Sequence, residues 1–388
     1  MKLSTASQVV SGSPKRFSVP AKFHWLMRSI HAMAPLFVKL GGLESTLLRT
    51  RLSAVPIDRP IYILGLPRAG TTVSTQMLSE HPDVTTHRYS DFALPYTPFW
   101  WNYLISRLPV KGLETPIERS HRDRIYVTRD SPEGVEEMIW ERFFPSLDPT
   151  HSSVMDKNTA KNPKFECFLS DHIRKLLLVR GRSRYVAKNN PSVVRMEYLQ
   201  RVFPDARFLL FIRNPIDHIA SMIKQDRLWD AMESDNPRQA KIHTITGHHQ
   251  FGHAHIPLHI GDDALFKEIC RCRDNGQMIR ARALQWASVY GFIMQQIRSD
   301  HDLAKAVCIV RYEDLCGKPE ATISRILTHT GLSQESFAPV CSAYAVKLCL
   351  PDYYRPDFSI QEKQEIIEIT KDVAEYFGYD SIEKLVTL

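Results

Sequence analysis

Four short runs stand out along the chain because they are too apolar and too brief for surface helices. They are IYIL at 61–64, YVAK at 185–188, RFLLFI at 207–212 and AVCIVRY at 306–312. Runs of this length predict parallel strands covered on both faces. Between and beyond them the apolar positions recur at helical spacing. A helix follows each of the first three strands, and a long helix including Trp286 is predicted over 276–297. A charged C-terminal helix over 359–377 starts at the Ser359 cap, and Phe23 to Leu40 reads as a helix kinked or turned at Pro35. Alternation of buried strand and amphipathic helix predicts an α/β fold, with a central parallel sheet flanked by helices in three P-loop-like layers. We expect one domain over 21–388 behind a flexible tail at 1–20. It carries an aromatic insertion at about 88–146 and a His-rich loop at about 230–262.

The first strand runs straight into candidate chemistry. In IYILGLPRAGTT (61–72), Gly65 and Gly70 have the spacing of a phosphate-cradling loop, and the helix that follows offers free N–H groups to an anion. The next residues are Thr71 and Thr72, so the lysine that would reach the β- and γ-phosphates of ATP is missing; Arg68 lies inside the loop instead. Backbone N–H groups, two hydroxyls and one guanidinium suit a nucleotide whose transferable group is shorter than a triphosphate tail, such as a phosphosulfate. The strand 207–212 ends in Arg213 where a P-loop NTPase would place a magnesium-binding Asp, and Ser221 follows two helical turns later. Arg213 and Ser221 can close on one further phosphate from two sides.

Three blocks, LPRAGTT at 66–72, AKNNPSVV through RNPIDHIASM at 187–222 and VRYEDLCGKPEATISRILTHTGL at 310–332, resemble the sulfotransferases that use 3′-phosphoadenosine 5′-phosphosulfate (PAPS), in particular the bacterial and tyrosylprotein-type branch. The resemblance implies that Arg68, Ala69, Gly70, Thr71 and Thr72 hold the 5′-phosphosulfate and that Arg213 and Ser221 hold the 3′-phosphate. It further implies that Lys188 lies near the bridging oxygen and Tyr312 near the nucleotide, with PAPS as co-substrate and no metal.

Sulfuryl transfer to a hydroxyl needs cations for the leaving phosphate and the sulfonate oxygens, which Arg68 and Lys188 can supply, and a base for the proton. The tyrosine-directed relatives place a Glu a few residues past the His-Pro that ends the first helix. Here His81-Pro82 is followed by DVTTHRYSDF, which has none. Asp91 is the first candidate, ahead of His87, Glu136 and Glu137. A carbohydrate or lipid-linked glycan is the expected acceptor, with a peptide tyrosine or small metabolite as alternative. A P-loop kinase or NTPase and a non-catalytic nucleotide-binding protein are the competing classes.

Composition narrows the partners. The net charge of +7 suits an anionic nucleotide, while the absence of basic runs interleaved with aromatics argues against nucleic acid. No run of about 18 apolar residues occurs, so no spanning helix is expected. The helical segment 23–40 packs on the domain or touches a membrane carrying lipid-linked substrate. Aromatic density in the insertion (LPYTPFWWNYL, 94–104) suits an acceptor pocket or a satellite core. The His-rich segment 243–259 reads as a mobile polar lid in preference to a zinc site. Seven scattered cysteines read as reduced thiols, and with no secretory signal a cytoplasmic location is expected.

Overall fold

The computed structural model describes residues 21–107, 116–144, 152–158, 161–253, 255–350 and 356–379; the expected tail at 1–20 lies outside them. Its centre is a five-stranded parallel sheet built from β1 (Ile61–Leu64), β2 (Val84–Thr85), β5 (Arg184–Lys188), β6 (Arg207–Ile212) and β7 (Val307–Arg311). A small antiparallel hairpin, β3 (Ile117–Glu118) with β4 (Tyr126–Val127), stands apart from it. The sheet order is β2-β5-β1-β6-β7, so the chain starts in the middle and winds outward in both directions. Such a reversal leaves a crevice at the carboxyl ends of the central strands, and every expected nucleotide contact follows β1, β5, β6 or β7.

Side-chain alternation divides the core between the two faces of the sheet. Tyr62, Leu64, Phe208, Leu210 and Ile212 join one apolar cluster, and Ile61, Ile63, Leu209 and Phe211 join the other. Both faces being covered explains why β1 and β6 read as continuous apolar runs. The long helix comes out as Met278–Ser299 and buries Trp286 completely. The C-terminal helix is Ile360–Tyr376; Ser359 Oγ accepts from Glu362 N and the Glu362 carboxylate accepts from Ser359 N, a reciprocal cap.

The structure chooses between the expected alternatives at two places. The segment 23–40 has the turn and not the kink: α1 (Ala21–Ala32) and α2 (Ala34–Leu47) are separated at Met33, with Pro35 in the first turn of the second helix. The aromatic insertion serves chiefly as core: Trp140 is fully buried with its ring centroid 4.4 Å from that of Phe165, and Trp101 Nε1 donates to Ser90 O at 2.7 Å.

Candidate active site

Tight backbone packing builds the phosphate-type loop between β1 and the helix Thr71–Ser79. Gly65 (φ 141°) crosses β6 so closely that a Cβ would collide with Phe211 O. At Gly70 (φ 98°) a Cβ would stand 2.7 Å from the Tyr312 ring. Both positions require glycine, and the second seats Tyr312 against the loop. Arg68 also takes a left-handed φ of 78°. The loop is buttressed from below: Tyr290 Oη donates to Phe211 O at 2.9 Å and receives Leu66 N–H at 3.3 Å. Trp286 Nε1 donates to His218 Nδ1 at 3.1 Å, which fixes the tautomer so that His218 Nε2–H donates to Pro67 O at 2.8 Å. Burial lowers His218 to about 3, so it stays neutral in this role.

A cavity of about 330 Å³ opens over this loop. Arg68, Gly70, Thr71 and Thr72 line one side; Arg213, Ser221 and Tyr312 line another. These expected residues therefore converge, although they are spread over 245 positions of sequence. Ala69 does not line the cavity: its methyl is buried and its N–H donates to Leu66 O at 3.3 Å, so its part is the floor of the loop. Arg213 stacks on Tyr312, with its guanidinium carbon 4.9 Å from the ring centroid, and its buried Nε has no partner. A buried N–H donor left open in the wall of the cavity that Ser221 also lines, where Ser221 Oγ accepts from Arg68 Nε at 3.3 Å, is the arrangement an incoming anion would complete.

The rest of the cavity wall comes from residues the motif reading passed over. Arg119, Arg122 and Arg124 enter from the β3–β4 connection, and Lys224 and Lys347 complete a lining of seven basic side chains against one carboxylate, Asp123. Asp123 binds Arg68 Nη1 at 2.7 Å and Arg119 Nε at 2.9 Å; Arg119 Nη1 also reaches Thr72 Oγ1 at 3.2 Å. Burial pushes the Asp123 carboxyl up, but Arg119 and Arg68 outweigh it and hold the group far below the usual carboxylate range. The run ERSHRDRIY at 118–126, with three arginines in six residues, was the available signal.

Lys188 ends β5 and donates from Nζ to Glu133 Oε1 at 3.0 Å. Glu133 is 5% exposed and also accepts from Gly134 N at 2.7 Å and from Tyr89. The chain around it is pressed against the strand end, since a Cβ at Gly134 would lie 2.6 Å from Lys188 O. Burial raises the Glu133 carboxyl, yet Lys188 first, then His248 and Arg119, draw it well below its ordinary value, so it is ionised at neutral pH.

Asp91, the expected proton acceptor, is committed elsewhere. Its oxygens bind Arg180 Nη2 at 2.6 Å, Asn102 Nδ2 at 3.0 Å and Arg88 N at 2.8 Å; like Glu133 and Lys188 it lines no part of the cavity, but its oxygens are all taken by structural partners. Asp91 is a cap for the turn Tyr89–Ala93, and the base assignment is corrected on that ground. The alternatives fare no better. His87 is buried between His172 (2.7 Å) and Tyr185 Oη (3.1 Å). Glu136 accepts from Tyr185 Oη at 2.6 Å, and Glu137 is held by both Arg195 nitrogens at 2.8 and 2.9 Å. Glu133, three residues before Glu136, is the carboxylate that meets Lys188.

The His-rich segment is packed, not a free lid. His243 stacks on Trp229 at 3.9 Å and bonds Glu233, His249 bonds Glu141 at 2.7 Å, and His255 bonds Arg282 at 3.0 Å. Among the described residues no group of three or more His, Cys, Asp or Glu is placed to hold a metal. Residues of this segment, with Leu66 and Pro67 after β1 and Asn190 and Pro191 after β5, enclose a second cavity of about 130 Å³. The loop from Leu66 to Arg68 therefore has the cationic cavity on one side and this more apolar one on the other.

Comparison with known proteins agrees with this geometry. The chain is 22% identical over 343 residues to the omega-hydroxy-beta-dihydromenaquinone-9 sulfotransferase Stf3 of Mycobacterium bovis and of Mycobacterium tuberculosis, covering 83% of this chain and 76% of theirs. The crystal structure of sulfotransferase STF9 from Mycobacterium avium superposes with a TM-score of 0.52 at 15% identity, over 87% of this chain and 82% of that one, and shares the fold. The model of the sulfotransferase family matches residues 60–255, the stretch that carries the loop, Glu133, Lys188, Arg213 and Ser221. With half of its length so matched, the chain belongs to the sulfotransferase family, enzymes that in general take the transferred group from PAPS.

Proposed function

We propose that this enzyme moves a sulfuryl group from PAPS to the hydroxyl of a lipid-like acceptor, lipid-linked glycans included. The observation that carries the nucleotide half is the cationic cavity, with Arg213 Nε buried and unpartnered opposite the Gly65–Thr72 loop. Seven cations fit a donor bearing a 3′-phosphate and a 5′-phosphosulfate, and no lysine stands where an ATP γ-phosphate would need one. The acceptor half rests on the second cavity beside Leu66 and Pro67 and on the likeness to enzymes named for a hydroxylated menaquinone derivative.

In this reading Arg213 and Ser221 hold the 3′-phosphate, while Thr71, Thr72, the N–H groups opening the helix Thr71–Ser79 and Arg68 hold the 5′ end. The bound nucleotide supplies an activated sulfur joined to a good leaving phosphate. Lys188 neutralises charge on the departing oxygen, and Glu133 accepts the acceptor's proton as the new S–O bond forms and the sulfur–phosphate oxygen bond breaks. Lysine suits its post because a point charge can move from Glu133 to the leaving group. A cytoplasmic location is part of the reading, supported by seven unpaired cysteines.

The test is transfer of labelled sulfate from PAPS across hydroxylated lipids, lipid-linked glycans and tyrosine peptides. Sulfation of an apolar alcohol ahead of tyrosine peptides is expected; hydrolysis of ATP with no sulfate transfer would refute the proposal.

A further inference from the structure

The helices α1 and α2 carry an outer face for which the fold offers no internal use. Trp25, Leu26, Met33, Leu36, Leu43 and Leu47 are all exposed, from 45% at Met33 to 68% at Leu47. On the neighbouring helix Pro98–Ile105, Tyr103 and Leu104 add about half-exposed side chains. These eight are more than half of the fourteen large apolar side chains left exposed among the described residues, and α2 touches both α1 and the helix Pro98–Ile105. Scattered exposed apolar residues need no explanation, whereas a gathered set does.

A neighbouring face of α2 is fixed to the body. Glu44, fully buried, pairs with the buried Lys175 at 3.1 Å and accepts from Trp100 N at 2.6 Å, while Lys175 Nζ also donates to Gly41 O at 2.7 Å. Leu36, Leu43 and Leu47 recur at helical spacing as an exposed stripe that flanks that anchor. Charge on the segment is one-sided. Residues 21–53 contain Lys22, Arg28, Lys39, Arg49 and Arg51, all exposed, and their one acid is the buried Glu44. Apolar side chains ringed by long cations with no exposed carboxylate match the boundary layer of an anionic bilayer, where the stems lie along apolar surface and the charges reach phosphate. No helix among the described residues is long and apolar enough to cross a membrane, so the contact would be peripheral.

Position relative to the site supplies a second, independent reason. A cavity of about 350 Å³ opens beside this face, lined by His31, Ala34 and Pro35 from α1 and α2 and by Tyr96, Met138 and Glu141 from the body. Glu141 also lines the smaller cavity next to Leu66 and Pro67, where it accepts from His249. The two cavities share Glu141 in their walls; one borders α1 and α2, and the other reaches Leu66 and Pro67 of the phosphate-type loop.

We propose that α1, α2 and the helix Pro98–Ile105 dock this enzyme on an anionic phospholipid bilayer and admit an amphiphilic acceptor to the site past the Glu141–His249 pair. The proposal rests on the lipid-like acceptor reading above, but its test is separate. Co-sedimentation of the full chain with phosphatidylcholine vesicles, with and without phosphatidylglycerol, reads the docking directly. Binding is expected only with phosphatidylglycerol present and should weaken as salt rises. Leu36→Ser with Leu43→Ser, and independently Arg28→Glu with Lys39→Glu, should each lower vesicle partition ~10-fold or more, with circular dichroism and nucleotide-induced melting shifts unchanged. Both pairs are on the surface and make none of the anchoring contacts. Absence of binding to anionic vesicles, or variants that bind as wild type, would overturn the proposal. So would a dimer in ultracentrifugation that the leucine substitutions dissociate, because the face would then belong to a second copy. Turnover of a short water-soluble alcohol reads the proposed activity alone and should be equal in wild type and variants. Its absence in both would count against the activity while vesicle partition still decided the docking.

Discussion

Replacing Glu133 by glutamine keeps size and a hydrogen-bond acceptor for Lys188 but removes the negative charge and the capacity to take a proton. In the structure the carboxylate stands 3.0 Å from Lys188 Nζ, with side-chain exposures of 6% for the glutamate and 14% for the lysine. Loss of a positioned general base lowers turnover by roughly 10²–10⁴-fold. We expect kcat for Glu133→Gln to fall ~100- to 1000-fold, about 3–4 kcal/mol of barrier. Affinity for 3′,5′-diphosphoadenosine should change by less than ~10-fold, because the carboxylate itself makes no favourable contact with an anion. A stability effect accompanies this. Glu133 has a folded-state value depressed from 4.5, so its contribution is present above that pH and is lost as pH falls through the lower folded value. The variant should therefore melt below wild type at pH 7 and approach it in acid. Single-turnover sulfate transfer measures the first effect, and melting curves at several pH values the second. Turnover within about threefold of wild type, or Asp91→Asn lowering turnover without lowering the melting temperature, would refute the assignment of Glu133 over Asp91.

Two further substitutions probe other charges. Asp123→Asn leaves Arg68 and Arg119 without their buried counter-charge, so it should destabilise the free protein by about 3–5 kcal/mol. It should also enlarge the melting shift produced by 3′,5′-diphosphoadenosine, and an unchanged shift would mean that Asp123 does not compete with the nucleotide for these arginines. Glu136 is pushed up to about 7 by burial. Its folded value lies above the unfolded one, so its contribution is full below pH 4.5 and is lost as pH rises to about 7, a loss of about 3 kcal/mol. Glu136→Gln should match wild-type stability near pH 5 and exceed it at pH 8; a constant difference across that range in urea melts would rule this out.

The scaffold was legible wherever chemistry is local. Each long strand announced itself as an apolar run, and the glycines, Thr71, Thr72, Arg213 and Ser221 lie within a few residues of the strand ends that aim them, so a motif and a strand end sufficed to bring them together. Lys188 likewise stands at a strand end. Glu133 was hidden because it belongs to no periodic element. It reaches Lys188 through a bridge between Arg88 and Pro132 and the close passage of Gly134, contacts spanning more than forty residues. Asp91 misled for the complementary reason: its partner Arg180 is 89 residues away, and nothing local tells a spent carboxylate from an available one. The two-residue strands β2, β3 and β4 are shorter than any pattern that periodicity detects. The histidines misled through density alone, since His243, His249 and His255 each engage a different neighbour.

The central claim is that Arg213 and Ser221 receive a 3′-phosphate opposite the Gly65–Thr72 loop, and titration calorimetry of 3′,5′-diphosphoadenosine against AMP tests it most directly. The diphosphate should bind at least ~100-fold more tightly than AMP, and Arg213→Met, which keeps the stem against Tyr312, should abolish that difference at a cost of about 2–5 kcal/mol. Equal affinities for the two nucleotides in the wild type, or a diphosphate preference that survives Arg213→Met, would contradict it.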